Sequence, residues 1–199
     1  MKYFKELREL RKITDNTVSL AACKEVLLST NGDVTESASL LEKWGDFIPK
    51  KIGPETDQGI IYSYTHPGNK LSIMIEVNCA TDEVSNTPEF KEFCEKLGLQ
   101  IANMYPVYVS REDIPPSLLS QKKRSIVRYL KSSNRNIKPD RWQYAIDSQL
   151  NRWISEVVLY EQRWVENPEF TIDDLRKKLI SKTGEYIRIK RFIRWELGD

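Results

Sequence analysis

The hydrophobic period of the chain changes three times along its length, and this limits the fold more than any other feature. Up to residue 46 apolar side chains recur at helical spacing. Residues 59–78 then alternate with period two, residues 88–183 return to the helical spacing, and Tyr186–Leu197 alternate again. Strands at two distant places in a mostly helical pattern predict an α+β chain, with helices packed on an antiparallel sheet.

The first segment reads as three short helices. Phe4, Leu7 and Leu10 share a face that stops near Thr14-Asp15-Asn16, and Leu20, Cys23 and Leu27 share the next, which stops at Asn31-Gly32. Asp33 caps a third helix carrying Val34, Ala38 and Leu41, which ends at Trp44-Gly45. Helices this short do not persist alone, so they must pack on one another. Residues 1–46 are therefore expected to form a three-helix docking module of the ubiquitin-associated (UBA-like) type. Residues 47–58 contain Pro49, Lys50-Lys51, Gly53 and Pro54 without any period, which predicts a linker, and 59–199 is expected to form an α+β core.

Within that core, Gly59–His66 and Lys70–Asn78 flank the turn Pro67-Gly68-Asn69. They predict a hairpin with Leu71, Ile73, Ile75 and Val77 on its buried side. Phe90, Phe93, Cys94, Leu97, Ile101 and Met104 form a helical stripe expected to cover the hairpin. Further helices are predicted over Pro116–Leu130 and Pro139–Val157, separated by a polar run at 132–136. Thr171 caps a last helix, with Asp173 and Asp174 in its first turn and Lys182 near its end before the Gly184 stop. In the final strand the alternation places Ile187, Ile189, Ile193, Trp195 and Leu197 on one face. Arg188, Lys190, Arg194 and Glu196 fall on the other, a largely basic face expected to be solvated.

Composition works by exclusion. Lys and Arg number 31 against 29 Asp and Glu, a net charge of +2, and the pI of about 8.3 falls short of a dedicated nucleic-acid domain. The longest apolar runs, Ile60-Ile61 and Ile73-Met74-Ile75, are far too short for a membrane helix. The start, MKYFKELRELRK, mixes Glu with Lys, unlike a transit peptide, so the cytoplasm is the expected compartment. Cys23, Cys79 and Cys94 are odd in number and lack C-x-x-C spacing, so they are expected to be buried thiols. His66 is the single histidine, which leaves no second imidazole for a zinc site or a catalytic triad. With no P-loop, G-x-G-x-x-G or G-x-S-x-G, the chain is not expected to be an enzyme or to hold a metal or cofactor.

Four separated stretches carry a resemblance. Residues 10–33 read LRKITDNTVSLAACKEVLLSTNGD, residues 75–84 IEVNCATDEV, residues 97–106 LGLQIANMYP (continuing VYVSREDIP), and residues 182–198 KTGEYIRIKRFIRWELG. In this order they resemble bacterial elongation factor Ts, whose members carry L-R-x-x-T-G-A-G-M-M-D-C-K, E-[VL]-N-C-x-T-D-F-V, L-A-x-x-I-A-x-x-x-P and K-x-G-E-N-[IV]-x-[VI]-R-R-F-x-R-[FY]-E-L-G.

The resemblance implies a guanine-nucleotide exchange factor for elongation factor Tu that performs no covalent chemistry. It implies that the T-D-F-V turn enters the GTP-binding domain of that partner beside its Mg²⁺. Those positions are Thr81, Asp82, Glu83 and Val84 here. Glu83 replaces an apolar wedge with a charge that is expensive to bury unpaired. It therefore either meets a cation on a matching GTPase, belongs to a binding protein with weak or altered exchange (chaperone-like or a complex subunit), or simply faces solvent.

The family's M-M-D-C-K docking segment corresponds to Leu20, Ala21, Ala22, Cys23 and Lys24. Leu20, Ala21 and Lys24 are the implied contacts, and Cys23 is assigned to the core. The preceding G-A-G loop becomes Thr17-Val18-Ser19, which lacks glycine's freedom. The length matches the short, single-core form, for which a homodimer through the sheet face is expected. Ile193 occupies the position of the cysteine that links some members, so that dimer would be non-covalent. RNA binding through Arg188, Lys190 and Arg194 is the least favoured alternative, and no direct nucleic-acid partner is expected.

Overall fold

The computed structural model describes residues 3–14, 18, 20–42, 58–133 and 137–199. The predicted linker, apart from Gln58, lies outside the described residues, as do Asp15–Thr17, Ser19, Trp44-Gly45 and Asn134–Asn136. Two compact units are distinct, one of Met1–Leu99 with Asp173–Asp199 and one of Gln100–Ile172.

The first unit begins with α1 (Phe4–Ile13), α2 (Leu20–Ser29) and α3 (Val34–Glu42), the three predicted helices. Leu7, Leu10, Cys23, Val26, Leu27 and Leu41 are buried, whereas Phe4, expected on the inner stripe of α1, is exposed. Its ring instead lies under the Arg8 guanidinium, 5.3 Å from the cation, one turn along the helix. Asp33 caps α3 as predicted, its Oδ1 accepting the Glu36 N–H at 2.9 Å.

β1 (Gln58–Thr65) and β2 (Leu71–Cys79) form the hairpin, and β3 (Arg188–Glu196) pairs with the other edge of β2. The sheet is antiparallel throughout, in the order β1-β2-β3. Ile73, Ile75 and Val77 of β2 are buried, as the alternation predicts. They share the core with Phe90, Phe93, Cys94 and Leu97 of α5 (Pro88–Met104), which follows the single turn α4 (Asp82–Ser85). Each such side chain contributes about 2 kcal/mol by leaving water. Gly98 marks how closely α5 approaches β1, because a Cβ there would sit 3.0 Å from the Tyr62 ring. Met104, placed on the inner stripe by sequence, is exposed at the end of α5.

The final strand departs from simple alternation. Val77 pairs with Ile189 but Glu76 pairs with Arg191, so Lys190 is an extra residue, a β-bulge. Side chains before the bulge follow the predicted faces, with Ile187 and Ile189 buried. Beyond it the faces exchange: Ile193, Trp195 (67% exposed) and Leu197 point outward, while Phe192, Arg194 and Glu196 are half-buried. The expected apolar face over 187–197 is therefore correct only up to Ile189, and the expected basic outer face is broken. Both bulge cations reach the outer carboxylate of Glu76, Lys190 Nζ at 3.1 Å and Arg191 Nε at 2.7 Å. Burial works against ionisation of Glu76, but hydrogen bonds from Arg191, Lys190 and Asn78 hold its carboxyl below the usual carboxylate range. One acid thus holds two successive side chains on the same face.

The second unit is mainly helical, with α6 (Pro116–Ser132) and α7 (Trp142–Val157). Ile114, Ile154 and Val158 form one buried cluster, and Ile126, Leu130 and Ile146 another. Its interior also contains two glutamines. Gln100 Nε2 donates to Gln162 Oε1 at 3.1 Å, and Gln162 Nε2 donates to the carbonyls of Met104 and Glu156 at 3.1 and 2.8 Å. Buried amides partnered this fully pin the loops they reach. α8 (Ile172–Thr183) then leads to β3. Among the described residues no helix is long and apolar enough to cross a membrane.

Candidate functional site

The turn between β2 and α5 is built from a short run of local bonds. Thr81 has extended backbone angles and caps α4, its Oγ1 accepting the Val84 N–H at 3.4 Å. Ser85 Oγ and Asn86 Nδ2 both donate to the Asp82 carbonyl at 2.9 Å, and Thr87 Oγ1 donates to the Val84 carbonyl at 2.7 Å. Ser85 is buried, whereas Asp82 and Glu83 are exposed and Val84 is half-buried. Four residues thus project two carboxylates from a turn whose base is fixed in the core.

A distant residue completes that base. α8 ends at Gly184, whose φ of +75° is a conformation that side chains disfavour, and whose N–H bonds the Ile180 carbonyl at 2.7 Å. The chain thereby delivers Glu185 to the turn. Its Oε2 accepts the N–H groups of Ala80 and Thr81 at 3.2 and 3.1 Å, and its Oε1 accepts the Thr81 hydroxyl at 2.7 Å. Beneath the turn, the Cys79 thiol donates to the Thr81 carbonyl at 3.1 Å. Burial, reinforced by the Glu185 carboxylate, pushes that thiol up to about 11, and burial pushes Cys94 up to about 12. All three cysteines are free and buried, as expected. They lack the exposed, cation-stabilised setting of a nucleophile.

The remaining predicted contacts lie on α2. Leu20 is exposed (43%), Lys24 is half-buried, and Leu28 continues the same stripe into solvent at i+8. Ala21 belongs to α2, but its side chain lies outside the described residues. Cys23 faces the core. Thr81–Val84 and Leu20–Lys24 thus occupy separate elements of the first unit. Among the described residues no group of three or more acidic, His or Cys side chains is arranged to hold a metal. His66 is exposed, its Nδ1 2.8 Å from the Tyr64 hydroxyl.

Sequence reasoning missed Glu185 as part of the turn. The residue stands in the quoted KTGEYIRIK stretch, but nothing local to that stretch signals a bond to a residue 104 positions away. It also missed Glu76 as the anchor of the bulge, although Glu76 stands second in the quoted run that ends in the turn.

Comparison with known proteins covers both elements. The sequence model of the family described as Elongation factor TS matches residues 48–199. Elongation factor Ts of Carboxydothermus hydrogenoformans is 35% identical over 194 residues, covering 97% of this chain and 88% of that protein. The protein of the same name from Thermotoga maritima is 34% identical, covering 97% and 94%, and that of Desulfosudis oleivorans is 36% identical over 196 residues, covering 97% and 96%. Identity of this extent, running from α1 to β3 through the turn and the Glu185 loop, means that the chain belongs to the elongation factor Ts family.

Proposed function

We propose that the chain is a guanine-nucleotide exchange factor for elongation factor Tu, acting in the cytoplasm during translation elongation and making or breaking no covalent bond itself. The observation that carries this reading is the turn at 81–84, two exposed carboxylates on a rigid base in a chain of this family. Exchange then follows from linkage. A surface that binds the GTPase more tightly without GDP weakens GDP by the same factor that GDP weakens the surface. In GTPases Mg²⁺ bridges the nucleotide phosphates and protein ligands, so groups pushed in beside it loosen the nucleotide. Thr81, Asp82, Glu83 and Val84 act at that place, while Leu20, Ala21 and Lys24 dock the N-terminal module. The division into a module at 1–46, a linker at 47–58 and a core at 59–199 belongs to the same reading.

A second reading, a binding protein with weak or altered exchange, is favoured by Glu83, an exposed acid at the position where the T-D-F-V motif that the chain resembles has an apolar Phe. Release of fluorescent GDP from elongation factor Tu separates the two. Accelerated release supports the first reading, and a complex without acceleration supports the second. If no complex forms with the nucleotide-stripped GTPase, both fall.

The reading includes a non-covalent homodimer. The outer sheet face exposes Ile61, Met74, Ile193 and Trp195, with Met74 and Ile193 paired across β2 and β3. Sedimentation at micromolar concentration showing only a 23.3 kDa species would remove it.

A further inference from the structure

We propose that Glu185 is a positioning residue for nucleotide displacement, setting the 81–84 turn through the Thr81 hydroxyl; this rests on the exchange reading above. The geometry carries the assignment. Thr81 Oγ has one hydrogen, and it is committed to Glu185 Oε1 at 2.7 Å. The lone pairs of the same oxygen are thereby turned toward the Val84 N–H, which caps α4. The second carboxylate oxygen holds the two N–H groups that begin the turn, Ala80 and Thr81. One acid therefore fixes the entry of the turn and, through one hydroxyl, its first helical bond.

Only a carboxylate satisfies all three donors. An amide offers one accepting oxygen: turned to the hydroxyl, it sets its NH₂ against two N–H donors, and turned to the N–H groups, it forces the Thr81 hydroxyl to accept and to send its own hydrogen elsewhere. Aspartate keeps the chemistry but shortens the reach by one methylene. The anchor also has a fixed origin. Lys182, in the last turn of α8, bonds Glu89 of α5 at 2.8 Å, so the segment that delivers Glu185 is tied to the helix that follows the turn. Asp82 and Glu83 are thus held on a platform assembled from both ends of the first unit. In the exchange reading that rigidity matters at the moment of insertion, because a loose turn can bind and yet yield instead of displacing the metal's neighbours.

The test uses the full chain with Glu185→Gln, Glu185→Asp and Glu185→Ala. It has two arms, amide hydrogen exchange of the protein alone, and GDP release from elongation factor Tu as a function of factor concentration. In Glu185→Ala the Ala80 and Thr81 amides should exchange about tenfold faster or more, while Ile73 and Ile75 in β2 keep their protection. The limiting release rate should fall about tenfold, with half-saturation changed by less than about threefold. The Gln variant should show the same split, and the Asp variant should recover part of the rate. If Glu185→Ala loses protection throughout β2, the isosteric Gln variant decides the matter. Unchanged Ala80 and Thr81 exchange, or a limiting rate within about twofold of the parent, overturns the assignment. If the parent itself fails to accelerate release, the exchange reading falls, and the amide arm alone then judges the anchor.

Discussion

The turn at 81–84 and the exposed stripe of α2 are both proposed to touch the same partner, yet they are built in opposite ways. The stripe of Leu20, Lys24 and Leu28 is local: one helical period brings the three side chains to one side, and the buried Cys23 and Leu27 fix which side faces water. The turn is non-local, because its shape depends on an acid from the far end of the chain. A locally built surface lends itself to affinity, since it tolerates change outside its core. A surface fixed by a distant bond lends itself to a step that requires resistance.

That contrast predicts different kinetic signatures. Thr81→Val removes the hydroxyl that links Glu185 to the Val84 cap, and the limiting rate of GDP release is expected to drop about tenfold or more in a stopped-flow assay. Glu83→Phe should act in the opposite direction, raising release from a conventional elongation factor Tu about fivefold by replacing a charge with an apolar group. No change, or a fall, defeats that expectation. Leu20→Asp should leave the limiting rate intact and raise the concentration needed for half-saturation about fivefold. Loss of rate there would show that the two elements are not separable.

The smallest effect concerns the thiols beneath each element. Cys79 is pushed up to about 11 and Cys94 up to about 12. At pH 8 a thiol near 11 is ionised in roughly one molecule per thousand, so alkylation of the folded protein should be slow at both and rapid once it is unfolded. Glu185→Gln removes a negative neighbour of Cys79, which lowers that thiol's pKa and should speed its alkylation about threefold. Cys23, also held up by burial but in α2, should not respond.

Sequence legibility divides along the same line. The three N-terminal helices, the hairpin with its buried Ile73, Ile75 and Val77, and the Asp33 cap were readable because each depends on spacing within one element. The 81–84 turn was readable only through family likeness, since T-D-E-V alone specifies little beyond a cap. Glu185, the Gln100–Gln162 pair and the cations on Glu76 were not readable, because each bond joins residues far apart in the chain. The far half of β3 was misread for another reason. Alternation assumes that every residue advances the strand by one face, and Lys190 does not.

That extra residue has a consequence for how such chains diverge. Deleting a single codon at 190 or 191 would remove only the bulge, leaving Ile189 against Val77 and one basic residue against Glu76, so that Trp195 stays outside and Arg194 stays half-buried. A one-residue gap at this point is therefore absorbed silently, whereas the same gap further along the strand would turn every residue after it to the opposite side.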